Sequence, residues 1–302
     1  MAWPGYPDSF DAGWWREVVT TPPVFTGTGA LTNSNSVVSS FSATYQMMTL
    51  TPLAGQQVTG AGIPTNTYVA ASPAPTNSSF TMTQAATNAG TVPITIGAEP
   101  VTLAEAKQWA RVEFNDDDSL IQDIITAARN WIEGAELKRS LMLQGRTYYG
   151  MGFPWTGGYY NRLIRSMGPN PWWLPTAQGI ILLPYPNMQQ LLSVQYIDPS
   201  SGNLDTIPLS NVLWTQNSVP ARIQPQYGTV WPLPRPVIDS VQIAWATGYG
   251  PNASDIPTCV RLAMRAFIAA NYENREGFMD GQLTISPMME RLLDPERWGS
   301  YP

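Results

Sequence analysis

The first third of the chain alternates short apolar runs with turn residues. Apolar residues alternate with Thr and Ser inside the runs, while Gly and Pro separate one run from the next. Phe80 and Met82 share one face of such a run and two threonines share the other, which is the period of a half-buried strand. Gly and Pro supply the backbone angles that tight turns require. The pattern predicts an all-β, sandwich-like module with strands at residues 36–41, 45–50, 67–70, 79–83 and 92–96.

The following segment changes to the spacing of amphipathic helices. Thr102 and Glu105 form a capping box, in which each side chain accepts a hydrogen bond from the other residue's backbone N–H. Apolar residues then recur three and four positions apart, and a similar stripe begins after Pro257. A short helix can follow Ser286, with Pro287 at its first position. The spacing predicts long helices over residues 102–113, 116–136 and 257–276.

The middle of the chain has the pattern of short strands joined by turns. Residues 198–202 read Asp-Pro-Ser-Ser-Gly, which is typical of a hairpin turn. Residues 153–178 are rich in Trp, Tyr, Gly and Pro, and a connection longer than about 12–15 residues is usually functional. The predicted strands lie at residues 142–149, 180–183, 191–197, 204–207, 212–214 and 241–245.

These patterns together predict an α+β fold. It combines a core of long helices and a small antiparallel β part with an inserted all-β, sandwich-like module. We expect strands of the main domain within residues 141–250 and a C-terminal extension at residues 280–302. The predicted domains are an N-terminal arm at 1–23, the inserted module at 24–98 and the main domain at 99–302.

Charge is distributed unevenly along the 302 residues. No Asp, Glu, Lys or Arg occurs between Glu17 and Glu99, whereas charged residues are frequent afterwards. The net charge of −6 argues against a positively charged groove that binds nucleic acid. Strands without charged residues at their edges tend to associate edge to edge. That tendency is tolerable if the module packs against neighbours in an assembly.

The residue types that are missing exclude several kinds of site. Without histidine, the chain has no Ser-His or Cys-His nucleophile pair and lacks the commonest metal ligand. Cys259 is the single cysteine, so an internal disulfide and a Cys-based zinc site are excluded. The acidic run at residues 116–118 lacks the spacing of a calcium loop and fits a helix N-terminus. We expect no cofactor, no bound metal and no catalytic residue.

Membrane insertion and secretion are not expected either. No apolar run approaches the length of about 18 residues that a membrane span needs. The first residues lack a basic stretch followed by an apolar core, which is the pattern of a signal peptide.

Six short segments follow one another in a characteristic order between Glu99 and residue 276. The first reads Glu-Pro-Val-Thr-Leu-Ala-Glu, and each segment alone is generic. Together, in this order and spacing, they resemble the head-tail connector (adaptor) proteins of tailed bacteriophages. In that family a segment like residues 18–23 runs almost directly into the first motif, so the uncharged stretch here is an insertion, expected to be Ig-like. The segments are residues 99–107, 115–121, 127–134, 245–250, 256–257 and 272–276.

The resemblance implies a non-enzymatic structural adaptor. Members of the family form rings, usually of about twelve copies, beneath the portal vertex, where they join capsid to tail and leave a channel for DNA. For this chain it implies a homo-oligomeric ring that contacts the portal protein and tail or nozzle proteins, with DNA passing through unbound and no membrane contact. We therefore expect the protein at the head-tail junction of a virion, after synthesis in the host cytoplasm. An acidic channel would repel phosphates.

Candidate contact residues are apolar side chains near the C-terminus, aromatic side chains in the long connection, and three arginines. Trp and Tyr dominate interface hot spots, although self-packing and sugar stacking remain alternatives for the aromatic cluster. The arginines can face acidic residues of a ring neighbour or simply be solvated, and the two readings weigh equally. The partner-binding candidates are Met288, Met289, Leu292, Leu293, Trp298, Tyr301, Trp155, Tyr159, Trp172 and Trp173, and the ring-interface candidates are Arg261, Arg265 and Arg275.

A carbohydrate-related function is the alternative. A β module and exposed aromatic residues suit glycan binding, and two carboxylates suffice for glycoside hydrolysis. No pair of acids falls at successive strand ends, which weighs against the hydrolytic form. The alternative is thus a carbohydrate-binding or carboxylate-based glycan-active tail protein.

Overall fold

A computed structural model describes residues 15–45, 47–153, 179–273 and 287–297 of the chain. The chain divides into two compact units, each made of two stretches of sequence. The first unit comprises Met1–Thr20 and Gly145–Ala246, and the second comprises Thr21–Gln144 and Thr247–Pro302. The second unit therefore holds both the uncharged β segment and the helices. The domain boundaries at residues 23 and 98 stay a prediction.

Helices and antiparallel sheets are both present, which confirms the predicted α+β class. The helices within the described residues are α1 (Leu103–Ala110), α2 (Asp118–Trp131), α3 (Thr258–Glu273) and α4 (Pro287–Leu293). The strands there are β1 (Trp15–Thr21), β2 (Val24–Leu31), β3 (Val37–Ser42), β4 (Thr44–Tyr45), β5 (Met48–Thr49), β6 (Gln57–Gly60), β7 (Thr67–Tyr68), β8 (Phe80–Thr81), β9 (Gly90–Gly97), β10 (Gln144–Gly150), β11 (Ile181–Leu183), β12 (Met188–Ile197), β13 (Leu204–Ile207), β14 (Val212–Thr215), β15 (Ala221–Pro225) and β16 (Val241–Thr247).

The uncharged segment of the second unit folds as one closed sheet. Its strands follow the order β7-β6-β9-β2-β3-β8, and its two ends meet through a bridge between Val69 and Met82. The Ala70 N–H donates to the Thr81 carbonyl at 2.7 Å across this junction. We call residues 24–97 the barrel. The segment is thus β-rich, and its strands form one sheet instead of the two facing sheets of the predicted sandwich. That it is an inserted module stays a prediction.

The interior of the barrel is apolar. Phe80 and Met82 are both buried on the same face, as their alternation predicted. The rings of Phe41 and Phe80 meet edge to face at 5.2 Å, a favoured aromatic geometry. Burial of these side chains and of Ile94 and Ile96 supplies the hydrophobic free energy of the barrel.

The helices of the second unit pack around a core of their own. We call residues 98–141, 249–273 and 287–297 the helical part. The predicted capping box is present at the start of α1, because Thr102 and Glu105 exchange side chain–backbone hydrogen bonds of 3.0 and 3.2 Å. Helix α1 ends at Arg111, whose φ is 55°. Helix α2 passes into a π-helical turn at Ile132–Glu136. The predicted helices thus exist, with α1 ending earlier than its pattern indicated. None of the described helices is long and apolar enough to cross a membrane.

The first unit contains a five-stranded sheet and a three-stranded sheet. The larger has the order β1-β10-β16-β12-β13 and the smaller the order β11-β15-β14. Their core includes fully buried Trp245, and the rings of Phe153 and Trp231 stack at 4.7 Å. The predicted hairpin turn joins β12 to β13. Within it, Asp198 accepts hydrogen bonds from the Ser200 hydroxyl and from nearby backbone N–H groups. These hydrogen bonds lower the pKa of Asp198 to about 2. Strand β15 was not predicted from the sequence.

Candidate interaction surfaces

Two of the predicted ring-interface cations bind an acid within their own chain. Arg261 and Arg265 lie one turn apart on α3, and both donate to Glu105 Oε1, at 2.6 and 2.7 Å. Arg261 also donates to the Pro100 carbonyl at 3.1 Å. Burial raises the pKa of Glu105, but the Thr102 N–H and the two arginines outweigh burial and hold it below its usual value. These contacts fasten α3 to the N-terminus of α1, and they leave one excess positive charge there.

The acidic start of α2 also serves contacts between helices. Lys107 of α1 donates to Asp118 and to Asn115, both at 2.7 Å. The Tyr272 hydroxyl of α3 donates to Asp117 at 2.6 Å. Within the part of the chain that the structure describes, no group of three acids, cysteines or histidines is arranged to hold a metal ion. The two carboxylates thus connect α2 to α1 and α3, while Asp117, at the N-cap of α2, makes no side-chain capping hydrogen bond.

A buried ionic network at the end of α2 was not predicted from the sequence. Glu133 is buried and accepts hydrogen bonds from the Leu141 N–H at 2.7 Å and from Gln144 Nε2 at 3.0 Å. Arg129 lies one turn earlier, 3.8 Å from Glu133, and pairs with Glu99 at 2.8 Å. The sequence feature that could have indicated this network is the four-residue spacing of Arg129 and Glu133, which places both on one face of a helix. The network joins α2 to the segments on either side of it.

The C-terminal candidates within the described residues pack on the helical part. Leu293 is fully buried in the helical core, and Leu292 is half-buried against the same core. Met289 is also half-buried. Leu293 therefore stabilises its own subunit, and its side chain is not available to a partner. This corrects the expectation that all the apolar residues of the extension face outwards.

The remaining predicted contact residues cannot be placed. For Met288 the structure gives only the backbone, in α4. The others lie outside the described residues: Arg275, Trp298, Tyr301, Trp155, Tyr159, Trp172 and Trp173.

The first unit carries an apolar surface that the sequence reasoning missed. In the segment that follows β15, Tyr227, Val230 and Ile238 are 97 %, 86 % and 78 % exposed, and Leu233 is 60 % exposed. Trp231, in the same segment, is buried and donates through Nε1 to the Gly179 carbonyl. We call the four exposed side chains the apolar loop surface. In the sequence, this surface corresponds to a Pro-rich run whose apolar residues are spaced neither as in a strand nor as in a helix.

A groove lies beside β13 in the same unit. Its volume is about 370 Å³, and its lining includes Ile207, Pro208, Val230 and Trp231. Tyr196 is also part of the lining; burial raises the pKa of its hydroxyl, and the charges of Asp198 and Asp205 add to the effect. The groove therefore combines apolar walls with negative charge.

Residues 100–162 match the family model described as "Phage gp6-like head-tail connector protein". This stretch includes the capping box, α1, α2 and β10. No curated protein matches the chain.

The solved structures that match the chain include three chains of gene transfer agent (GTA) particles. A chain from the neck of an empty particle is 17 % identical, with a TM-score of 0.47, over 64 % of this chain and 88 % of that one. A chain from the virion of the native particle is 17 % identical, with a TM-score of 0.49, over 66 % and 89 %. A chain from the neck of the native particle is 16 % identical, with a TM-score of 0.42, over 65 % and 91 %.

Of the six segments that carry the resemblance in the sequence, two lie within this matched stretch (residues 115–121 and 127–134), and a third, residues 99–107, overlaps its start. The resemblance of this chain to the head-tail connector proteins of phages is thereby confirmed for residues 100–162.

Proposed function

We propose that this chain is a structural adaptor at the head-tail junction of a phage-like virion. Its subunits associate sideways into a closed ring of about twelve copies, which lies under the portal, joins capsid to tail and surrounds the path of the DNA. The match of residues 100–162 to the connector family is the observation that carries the proposal. The role requires no catalysis, because the subunit acts by binding its neighbours.

The charges of the second unit support a role as a rigid building block. The ion pairs of Glu105 and Lys107 connect helices within one chain, and the Arg129 pair ties α2 to the segment before α1. We therefore expect the helical part to keep its shape when neighbours bind. The net charge of −6 disfavours tight binding of DNA, which suits a channel through which DNA moves.

Negative-stain imaging of the purified chain, alone and mixed with the portal protein of the same particle, tests the proposal. We expect rings that stack coaxially on the portal. Particles that remain single subunits and never associate with portal would contradict it.

The contribution of the C-terminus to docking needs a carefully chosen truncation. Ending the chain at Asp280 also removes Leu293 from the helical core, so a loss of docking there could reflect unfolding. Ending the chain after Arg297 keeps Leu293 and removes Trp298 and Tyr301. We expect this shorter deletion to leave the fold and the ring intact and to weaken docking on portal. Unchanged docking would show that these two aromatic residues are not portal contacts.

The carbohydrate-related alternative relies on the β module and on four aromatic residues that lie outside the described residues, Trp155, Tyr159, Trp172 and Trp173. A glycan array probed with the full chain decides it. Binding of a defined glycan that is lost when Trp172 and Trp173 are changed to alanine would favour this alternative.

A further inference from the structure

The five-stranded sheet of the first unit has two ends, β1 and β13. Among the described residues, each end strand has a strand neighbour on one side only. The backbone N–H and C=O groups on its other side are therefore available to a further strand.

The groups that β13 presents outwards follow from its pairing with β12. The Asn203 carbonyl accepts a hydrogen bond, at 2.9 Å, from the residue that follows β12. In an antiparallel pair the inward-bonding positions recur at every second residue, so they fall at Asn203, Asp205 and Ile207. Leu204 and Thr206 then direct their N–H and C=O groups away from β12. Among the described residues these outward groups have no backbone hydrogen-bond partner.

The surroundings of β13 suit a short added strand with apolar side chains. The groove beside it is walled by Ile207, Val230 and Trp231, and Leu204 is 45 % exposed. Pro208 lacks an N–H and ends the edge after four residues. An added strand can therefore pair over this short length only, which limits the possible registers.

We propose that β13 binds strand β1 of a second copy of this chain, so that the sheets of neighbouring subunits become continuous. The two strands are opposite ends of one sheet, so each copy offers both halves of the contact. Contacts between unlike surfaces repeat from copy to copy and close into a ring when the rotation allows. Val18 and Val19 of β1 are half-buried in the single chain and become buried on pairing. The inference rests on the proposed function and names the contact that forms its ring.

A substitution at Thr206 tests the pairing. Thr206→Pro removes an outward N–H without removing an inward one, whereas Thr206→Val keeps that N–H. Both variants lose the same exposed hydrogen bond from Gln195 to the Thr206 hydroxyl, so they are matched. We expect Thr206→Pro to raise the concentration needed for assembly by about tenfold or more, because backbone hydrogen bonds are lost at every interface. Sedimentation velocity measures assembly, and circular dichroism confirms that both variants are folded.

Disulfide trapping gives a second readout. In a chain carrying Cys259→Ala, we combine Thr206→Cys with Val18→Cys or with Val19→Cys. We expect one of these pairs to give a ladder of linked oligomers on non-reducing gels, while the Thr206→Cys single variant gives none.

The outcomes separate the pairing from the ring. If rings form equally well with proline and valine at position 206 and no pair gives a ladder, the pairing is wrong and the proposed function stands. If Thr206→Cys alone gives dimers, two β13 edges meet each other, which also overturns the inference. A wild-type chain that never assembles at its highest soluble concentration, or on portal, overturns both.

Discussion

The barrel and the helical part belong to one compact unit, yet they satisfy their polar groups in opposite ways. The barrel has no Asp, Glu, Lys or Arg, and its surface uses pairs such as the Thr26 and Thr95 hydroxyls, 3.2 Å apart. The helical part joins its helices through charged side chains, as where Glu105 meets Arg261 and Arg265.

The difference reflects where each kind of element leaves backbone groups unpaired. A helix leaves four N–H groups at its start and four C=O groups at its end, and charged or polar side chains stabilise them. A closed sheet pairs its strands with one another and leaves no open edge. The charge-free stretch between Glu17 and Glu99 therefore coincides with the region whose backbone N–H and C=O groups are paired within a closed sheet. The barrel should depend on backbone geometry, and the helical part on ionisation.

The largest expected effect is a break of the barrel backbone. Gly97 has a φ of +88°, and a Cβ placed there would overlap the Pro23 carbonyl. We expect Gly97→Ala to lower the free energy of unfolding by about 3 kcal/mol, from the left-handed backbone and the collision together. Denaturant titration measures the loss.

Gly90→Ala is the matched control within the same strand. Gly90 also has a positive φ, +135°, but nothing lies within 4 Å of an added Cβ. This variant should cost only the backbone strain, about 1 kcal/mol. If the two variants lower the free energy of unfolding equally, β2 and β9 can move apart without loss of stability. That result would contradict the closed packing described above.

The next effect concerns ionisation in the helical part. The folded chain holds the pKa of Glu105 below its usual value of 4.5, so the ionised carboxylate stabilises the fold above that pH. This stabilisation is lost as the pH falls through the lowered pKa of the folded state. We expect Glu105→Gln to cost about 1–2 kcal/mol at pH 7 and progressively less below the usual Glu range. Unfolding free energies of both chains across this pH range measure the difference.

The barrel provides the control for this pH dependence. Residues 18–98 contain no group that titrates in the acidic range. The cost of Gly90→Ala should therefore stay constant while the cost of Glu105→Gln declines. If both costs change in parallel with pH, the stability of the barrel also depends on a titrating group.

The sequence predicted the helices well because their signals are local. The capping box of Thr102 and Glu105 and the apolar spacing of α2 involve residues a few positions apart, and both are present in the structure. Strand β2 was missed because glycines interrupt its apolar pattern. The structure supplies the reason at Gly29, where an added Cβ would collide with the side chains of Val38 and Ile94. Closure of the sheet was equally hidden, since it joins Val69 to Met82.

The candidate contact residues were harder to place than the fold. The arginines were recognised as charge partners, but sequence cannot show whether Arg261 meets an acid of its own chain or of a neighbour. Leu293 was taken for a contact residue because an apolar stripe looks the same whether it faces a partner or the core. The apolar loop surface has no periodicity, so only its exposure in the folded chain identifies it.

The smallest expected effect concerns the junction between the two compared regions. The Tyr68 hydroxyl of the barrel donates to Asn252 Oδ1 at 3.0 Å. Buried Gln56 forms a second, indirect link. Its Nε2 donates to the Leu143 carbonyl at 3.2 Å, and the Leu143 N–H donates to Gly250 of the helical part at 3.0 Å. Tyr68→Phe removes one partly buried hydrogen bond and keeps the ring, so we expect a loss of about 0.5–1 kcal/mol by denaturant titration.

Tyr227→Phe is the control, because Tyr227 is 97 % exposed in the other unit. It should leave stability unchanged. If Tyr68→Phe instead splits one unfolding transition into two, the barrel and the helical part unfold separately once that bond is lost. The junction, more than either core, would then be what makes the unit cooperative. If Tyr68→Phe behaves like Tyr227→Phe, Gln56 and the apolar contacts around it are sufficient to couple a charge-free barrel to a charge-dependent set of helices.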